Sequence, residues 1–148
     1  MIPAAGNQAN SAEKEKTPQI VFYSPHDRTA NIVVTGLLHS GYPAIYAGSP
    51  YLAIIKTMQF VPSLVIIEIC ESNSKGFAIV EALRKSVRTK NVALLLLLPS
   101  SPADLLDNLK KTYLDRETAA AFEGIPILNY PFSFSELVNR VAFLLKRK

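Results

Sequence analysis

Asp27, Glu68 and Glu71 are the carboxylates placed where chemistry is most plausible, each just beyond a short apolar run. A hard divalent cation takes several oxygen ligands, so these three could share one if the chain brings them together. The plainer alternative for Glu68 is a carboxylate at a strand end that faces water and has no role. The remaining reactive types are isolated. His26 and His39 have no partner at metal-ligand spacing and read as surface or cap residues. Cys70, the single cysteine, excludes an internal disulfide or thiolate cluster, and with no basic neighbour it reads as an inert thiol. No glycine-rich phosphate loop appears, and Ser, His and Asp form no recognisable triad. The expectation is a protein that is not an enzyme and carries no cofactor.

Bulk properties narrow the classes further. A chain of 148 residues suits one domain with a real core, and 49% hydrophobic with 19% charged residues suits a globular one. The longest apolar run, Val92 to Leu98, is too short to span a bilayer, and the N-terminus shows no secretion signal. A cytoplasmic protein without membrane attachment is expected. The net charge of +4 is mild, and part of it lies in Lys146, Arg147 and Lys148, where a helix end favours cations. No aromatics interleave with these bases, so nucleic acid is not expected as a partner.

The elements that must position any site alternate regularly. Residues 1 to 17 form a polar leader with almost nothing to bury, expected to be disordered, and residues 18 to 148 form the domain. Strands are predicted at Gln19 to Tyr23, Tyr42 to Ala47, Leu64 to Ile69, Val92 to Leu98 and Pro126 to Leu128. Between them, Asp27 can cap a helix carrying Ala30, Val33, Val34, Leu37 and Leu38 at helical spacing, closed by Gly41. Ser49-Pro50 and Ser101-Pro102 each pair an N-cap with proline at the first helical position. These open helices to about Gln59 and Leu114. A helix covers Gly76 to Lys85, a short one is expected over Glu117 to Phe122, and a last helix starts at Ser133 or Ser135. Ser133 and Glu136 have capping-box spacing. Five strands alternating with helices demand right-handed crossovers and a parallel sheet covered on both faces. Chemistry in such a sheet sits at the carboxyl ends of the strands, after Tyr23, Ile67, Leu98 and Asn129.

Three stretches together resemble the bacterial response-regulator receiver family. Tyr130-Pro131-Phe132-Ser133-Phe134-Ser135-Glu136-Leu137 is similar to the family's Lys-Pro-Phe ahead of a capped last helix. Leu64-Val-Ile-Ile-Glu-Ile, followed by a loop to Gly76 and the segment from Phe77 to Arg84, matches its path from phosphoacceptor to third helix. Leu37-Leu38-His39-Ser40-Gly41-Tyr42 looks like its first-helix exit. The likeness runs from about Gln19 to Leu145. It implies a flavodoxin-like, doubly wound, five-stranded parallel α/β sheet of order 2-1-3-4-5.

The resemblance also implies four functional parts, and each is altered here. A working receiver places an Asp nucleophile after strand three, an acidic pair holding Mg²⁺ after strand one, a Ser or Thr after strand four and a Lys after strand five. Phosphoryl transfer onto a carboxylate brings anions together, which is why the ion and the ammonium are required. Matched onto this chain, the nucleophile position falls on Glu68, one methylene too long for a geometry-sensitive attack. The acidic pair falls on Ser24 and Pro25, the hydroxyl on Leu97 and the lysine on Tyr130. A Glu there could also mimic a phosphorylated Asp. Pro131 is the cis-proline candidate. A shift of register would let Asp27 and Glu71 join Glu68 around a metal ion and place Ser100 at the hydroxyl position.

The function implied is a pseudo-receiver in two-component-type signalling, working by contact with a protein partner or a second copy of the chain and not by phosphorylation. Receivers signal through the face made by helix four, strand five and helix five. The span from Leu98 to Pro126 is about ten residues longer than the family's usual connection, which would remodel that face. Two alternatives stay open: phosphotransfer through an altered site, and a sensory domain binding a small molecule in a pocket lined by Ser24, Leu97 and Tyr130.

Overall fold

A computed structural model describes residues 18–69, 75–98, 124–129 and 131–146. Their strands are β1 (Ile20–Tyr23), β2 (Ala44–Ala47), β3 (Leu64–Glu68), β4 (Ala93–Leu98) and β5 (Ile127–Asn129). The helices described are α1 (Asp27–His39), α2 (Pro50–Phe60), α3 (Gly76–Lys85) and α4 (Phe134–Lys146). The helices expected between Ser101 and Phe122 lie outside the described residues, as do the leader, Cys70, Glu71, Ser100 and Tyr130.

The sheet is parallel throughout and has the order β2-β1-β3-β4-β5, as the resemblance implied. Ile20, Val21 and Phe22 of β1, Leu64 to Ile67 of β3, and most of β4 are shielded from solvent on both faces. That explains their unbroken runs of apolar, often β-branched residues. Alternation sends Val65, Ile67, Leu94 and Leu96 to one side, where Ala53 of α2 and Phe77, Val80 and Leu83 of α3 cover them. Ile20, Phe22, Leu64, Ile66, Leu95 and Leu97 face the other side, under Ala30 and Leu37 of α1 and Leu137 and Val141 of α4. Two apolar layers thus sandwich the sheet.

Local signals set the starts of α2 and α4. Ser49 Oγ accepts from the Leu52 amide, with Pro50 at the first turn of α2. Ser133 and not Ser135 caps α4: its amide donates to Glu136 Oε1 at 2.8 Å, and its Oγ accepts from the Glu136 amide at 3.1 Å. Asp27 does not cap α1. His26 holds the cap position without a side-chain cap bond, and Asp27 is the first helical residue. α1 and α4 meet where Gly36 leaves room for Phe134; a methyl group at Gly36 would come 2.5 Å from the Phe134 ring.

Candidate functional site at the strand ends

The register places the strand-end residues side by side. β1 and β3 pair Tyr23 with Ile67, so the next step along both strands sets Ser24 beside Glu68. On the other flank Glu68 pairs with Leu97 of β4. Residues two apart share a face, so these three continue the row of Phe22, Ile66 and Leu95 that lies beneath α1 and α4. Leu97 is fully buried there, an apolar neighbour where the receiver resemblance implied a hydroxyl.

Glu68 does not face water: it is 7% exposed, and Ser24 is wholly buried. The Ser24 hydroxyl donates to Glu68 Oε1 at 2.5 Å. The same Oγ accepts from the His26 amide at 2.9 Å, so the hydroxyl is oriented before it meets the carboxylate. His26 Nδ1 lies 3.5 Å from Glu68 Oε2, on the solvent side, with more than half of its side chain exposed. The two carboxylate oxygens therefore face different groups, a buried hydroxyl and an imidazole. A buried carboxylate needs such donors, because burying a charge without them is costly.

A second polar pair flanks the first. The Tyr46 hydroxyl, on β2, donates to Asp27 Oδ1 at 2.6 Å, and the Ser24 carbonyl lies 3.0 Å from the Tyr46 hydroxyl oxygen. This contact pushes the Tyr46 phenol up from 10.0 to about 12, chiefly through the hydrogen bond to Asp27, then burial, then the Asp27 charge. The folded state holds the proton more tightly, so its contribution to stability is complete below pH 10.0 and is lost as pH rises to about 12. Asp27→Asn removes the charge and weakens the acceptor. Followed by tyrosine NMR titration, that variant is expected to bring Tyr46 back toward the ordinary range. Wild-type titration already at the ordinary value would contradict the contact.

Of the residues singled out in the sequence, Ser24 and Glu68 are brought together, and Asp27 is turned aside to Tyr46. Pro25 is exposed and brings no ligand, Pro131 is exposed, and Tyr130 and Glu71 lie outside the described residues. Ser24 and Leu97 line no opening, being fully buried. A described cleft of about 190 Å³ lies elsewhere, among Val61, Pro62, Ser63, Arg88, Asn91 and Val92, where β3 and β4 begin. Among the described residues no group of three His, Cys, Asp or Glu side chains converges. His26 is the exposed cap residue that the sequence suggested, but its approach to Glu68 was not foreseen, and Tyr46 was taken only for strand. The available signal was a Ser-x-His just past one buried strand and a Glu ending another.

Gly76 fixes the other side of Glu68. A methyl group there would come 2.7 Å from Ile69 Cδ1, 2.9 Å from Ile67 Cγ2 and 3.3 Å from the Glu68 carbonyl oxygen. The absent side chain lets the start of α3 lie directly on the end of β3.

With this geometry in place, comparison with known proteins is informative about the fold. No family model matches the chain, and no curated protein sequence does. Among solved structures, it is similar to the chemotaxis protein CheY4 of Vibrio cholerae, with a TM-score of 0.67 at 18% identity, covering 86% of this chain and 98% of that one. It is similar to the receiver domain of the Francisella response regulator 1452, with a TM-score of 0.68 at 21% identity over 88% and 98%. A putative response regulator from Chloroflexus aurantiacus gives a TM-score of 0.69 at 21% identity over 88% and 99%. The fold is therefore the flavodoxin-like fold of response-regulator receivers. No described helix is long and apolar enough to cross a membrane.

Proposed function

We propose that this chain is a receiver-fold signalling module that acts through protein–protein contact and not through phosphoryl transfer. The observation that carries this reading is the closed contact of Ser24 with Glu68. Attack on a phosphoryl donor requires an accessible carboxylate oxygen and positive charge to collect the anions. Here Oε1 is buried against a hydroxyl, and Oε2 faces His26.

Mg²⁺, which a working receiver holds beside its nucleophile, is not fitted by these residues. The Ser24 hydroxyl is turned to Glu68, Pro25 has no side-chain donor atom, and the Asp27 carboxylate accepts from Tyr46. A hard cation would need several of these oxygens at once. The hydrogen-bonded set instead holds the strand-end carboxylate in one arrangement. In this reading the output is a standing conformation sensed by a partner, and its contact surface includes β5 and α4, the counterparts of a receiver's strand five and last helix.

The test is intact-mass spectrometry after incubation with Mg²⁺ and acetyl phosphate, beside a receiver known to be modified. The expected result is an adduct on the control and none on this chain. An adduct mapping to Glu68 or a neighbouring carboxylate overturns the proposal in favour of phosphotransfer through an altered site.

A further inference from the structure

The cleft among Val61, Pro62, Ser63, Arg88, Asn91 and Val92 lies at the amino ends of β3 and β4, the opposite end of those strands from Glu68. Its lining is of two kinds. Val61, Pro62 and Val92 supply carbon, while Ser63, Arg88 and Asn91 supply a hydroxyl, a guanidinium and an amide. Arg88 is fixed through its Nε, which donates to the Met58 carbonyl near the end of α2 at 2.5 Å. Its two terminal nitrogens have no partner among the described residues, which leaves open the flat donor edge that fits a carboxylate. The segment carrying Arg88 and Asn91 is pinned from behind. Thr89 Oγ1 donates to the Leu83 carbonyl at 2.8 Å, and Arg84 Nη1 donates to the Lys90 and Val92 carbonyls, each at 2.9 Å. A site ordered in advance loses little freedom on binding. Positive charge gathers here too: Arg84, Lys85, Arg88 and Lys90 stand close together in the chain, and no carboxylate lines the cleft. Val61 adds strain, with φ at 44°, the only positive value among the described non-glycine residues. A β-branched residue rarely adopts that backbone, and such strain collects at ligand sites.

We infer that this cleft binds a small organic carboxylate. The Arg88 guanidinium takes the carboxylate, Ser63 and Asn91 offer further hydrogen-bond donors, and the apolar part of the lining takes the carbon skeleton. Both kinds of lining are then used, whereas a bare phosphate would leave Val61, Pro62 and Val92 without an apolar partner. The volume of about 190 Å³ holds an acid of roughly six heavy atoms, at about 30 Å³ for each water-sized group. Arg88 is exposed, so the binding is weak, with a dissociation constant of about 1 to 10 mM. This site is separate from the carboxyl ends of the strands, and it stands whether or not Glu68 accepts phosphoryl groups.

The experiment is an NMR titration of the backbone amides of the whole chain with sodium butyrate, to about 50 mM at constant ionic strength. Saturating shifts are expected at Ser63, Asn91 and Val92. Arg88→Gln and Arg88→Lys should each weaken binding about tenfold, the second because lysine keeps the charge but loses the flat donor edge. Val61→Gly separates binding from folding. Glycine relaxes the left-handed backbone, so thermal unfolding should be little changed, while loss of the apolar side chain weakens binding about threefold. Butyramide, similar in shape but uncharged, and inorganic phosphate should give no saturating shifts over the same range. Butyrate shifts that grow without saturating, butyramide or phosphate binding as tightly as butyrate, or binding indifferent to Arg88→Gln overturns the inference.

Discussion

Ser24→Ala is expected to lower the unfolding free energy by about 2 kcal/mol, although it removes only one oxygen atom. That oxygen donates to Glu68 Oε1 at 2.5 Å and receives the His26 amide at 2.9 Å, so its loss leaves a buried carboxylate oxygen without its hydroxyl donor. A hydrogen bond to a charged group contributes more than a neutral one, and the stranded partner is the larger part of the cost. The companion variant separates the two causes. If the penalty comes from the stranded carboxylate, Ser24→Ala combined with Glu68→Leu should recover most of the loss, because two apolar residues suit the site beside Leu97. Urea unfolding of the wild type, both single variants and the double variant gives the coupling directly. A loss below about 0.5 kcal/mol for Ser24→Ala would show that the two side chains do not meet in solution. The closed strand-end site would then fall with it.

Gly76→Val is expected to cost about 3 kcal/mol, the largest effect among the substitutions considered. The first added carbon already comes 2.7 Å from Ile69 and 2.9 Å from Ile67, both fully buried, and a second branch has no space. Helix propensity would favour the change slightly, since glycine is a poor helix former, but that gain is under about 1 kcal/mol. Relief requires α3 to move off β3, and the 3.3 Å approach to the Glu68 carbonyl carries the shift into the strand-end site. Thermal unfolding measures the destabilisation. The NMR signals of Ser24 and His26 report whether the site moves with it. A Gly76→Val protein as stable as the wild type would mean that the helix start sits farther from the strand than described.

These expectations bear on the proposed function in different ways. Ser24→Ala tests whether the carboxylate is truly enclosed, which the mass measurement with acetyl phosphate cannot do by itself. A receiver that fails to accept phosphoryl groups could fail for lack of Mg²⁺ alone. An enclosed Glu68 held by Ser24 supplies a physical reason for the failure.

Much of the fold was legible along the chain because its determinants are local. Apolar runs such as Leu64 to Ile67 and Leu94 to Leu98 announce strands buried on both faces. Ser49-Pro50 and the Ser133–Glu136 box place helix starts within a residue, since each cap acts over three or four positions. The Asp27 cap failed by one residue: the helix starts earlier, with His26 at the cap position and Asp27 the first helical residue, its carboxylate accepting from Tyr46.

The sequence alone thus determined the alternation of elements and the burial of the central strands. It could not decide that Glu68 is enclosed. Ser24 and Glu68 are 44 positions apart, and they meet only because a crossover sets β3 directly against β1 in a particular register. A shift of one residue would send Glu68 to the opposite face, away from α1. Whether a carboxylate at a strand end faces water or is held by a hydroxyl is a property of neighbouring strands, and only the tertiary structure chooses the neighbours.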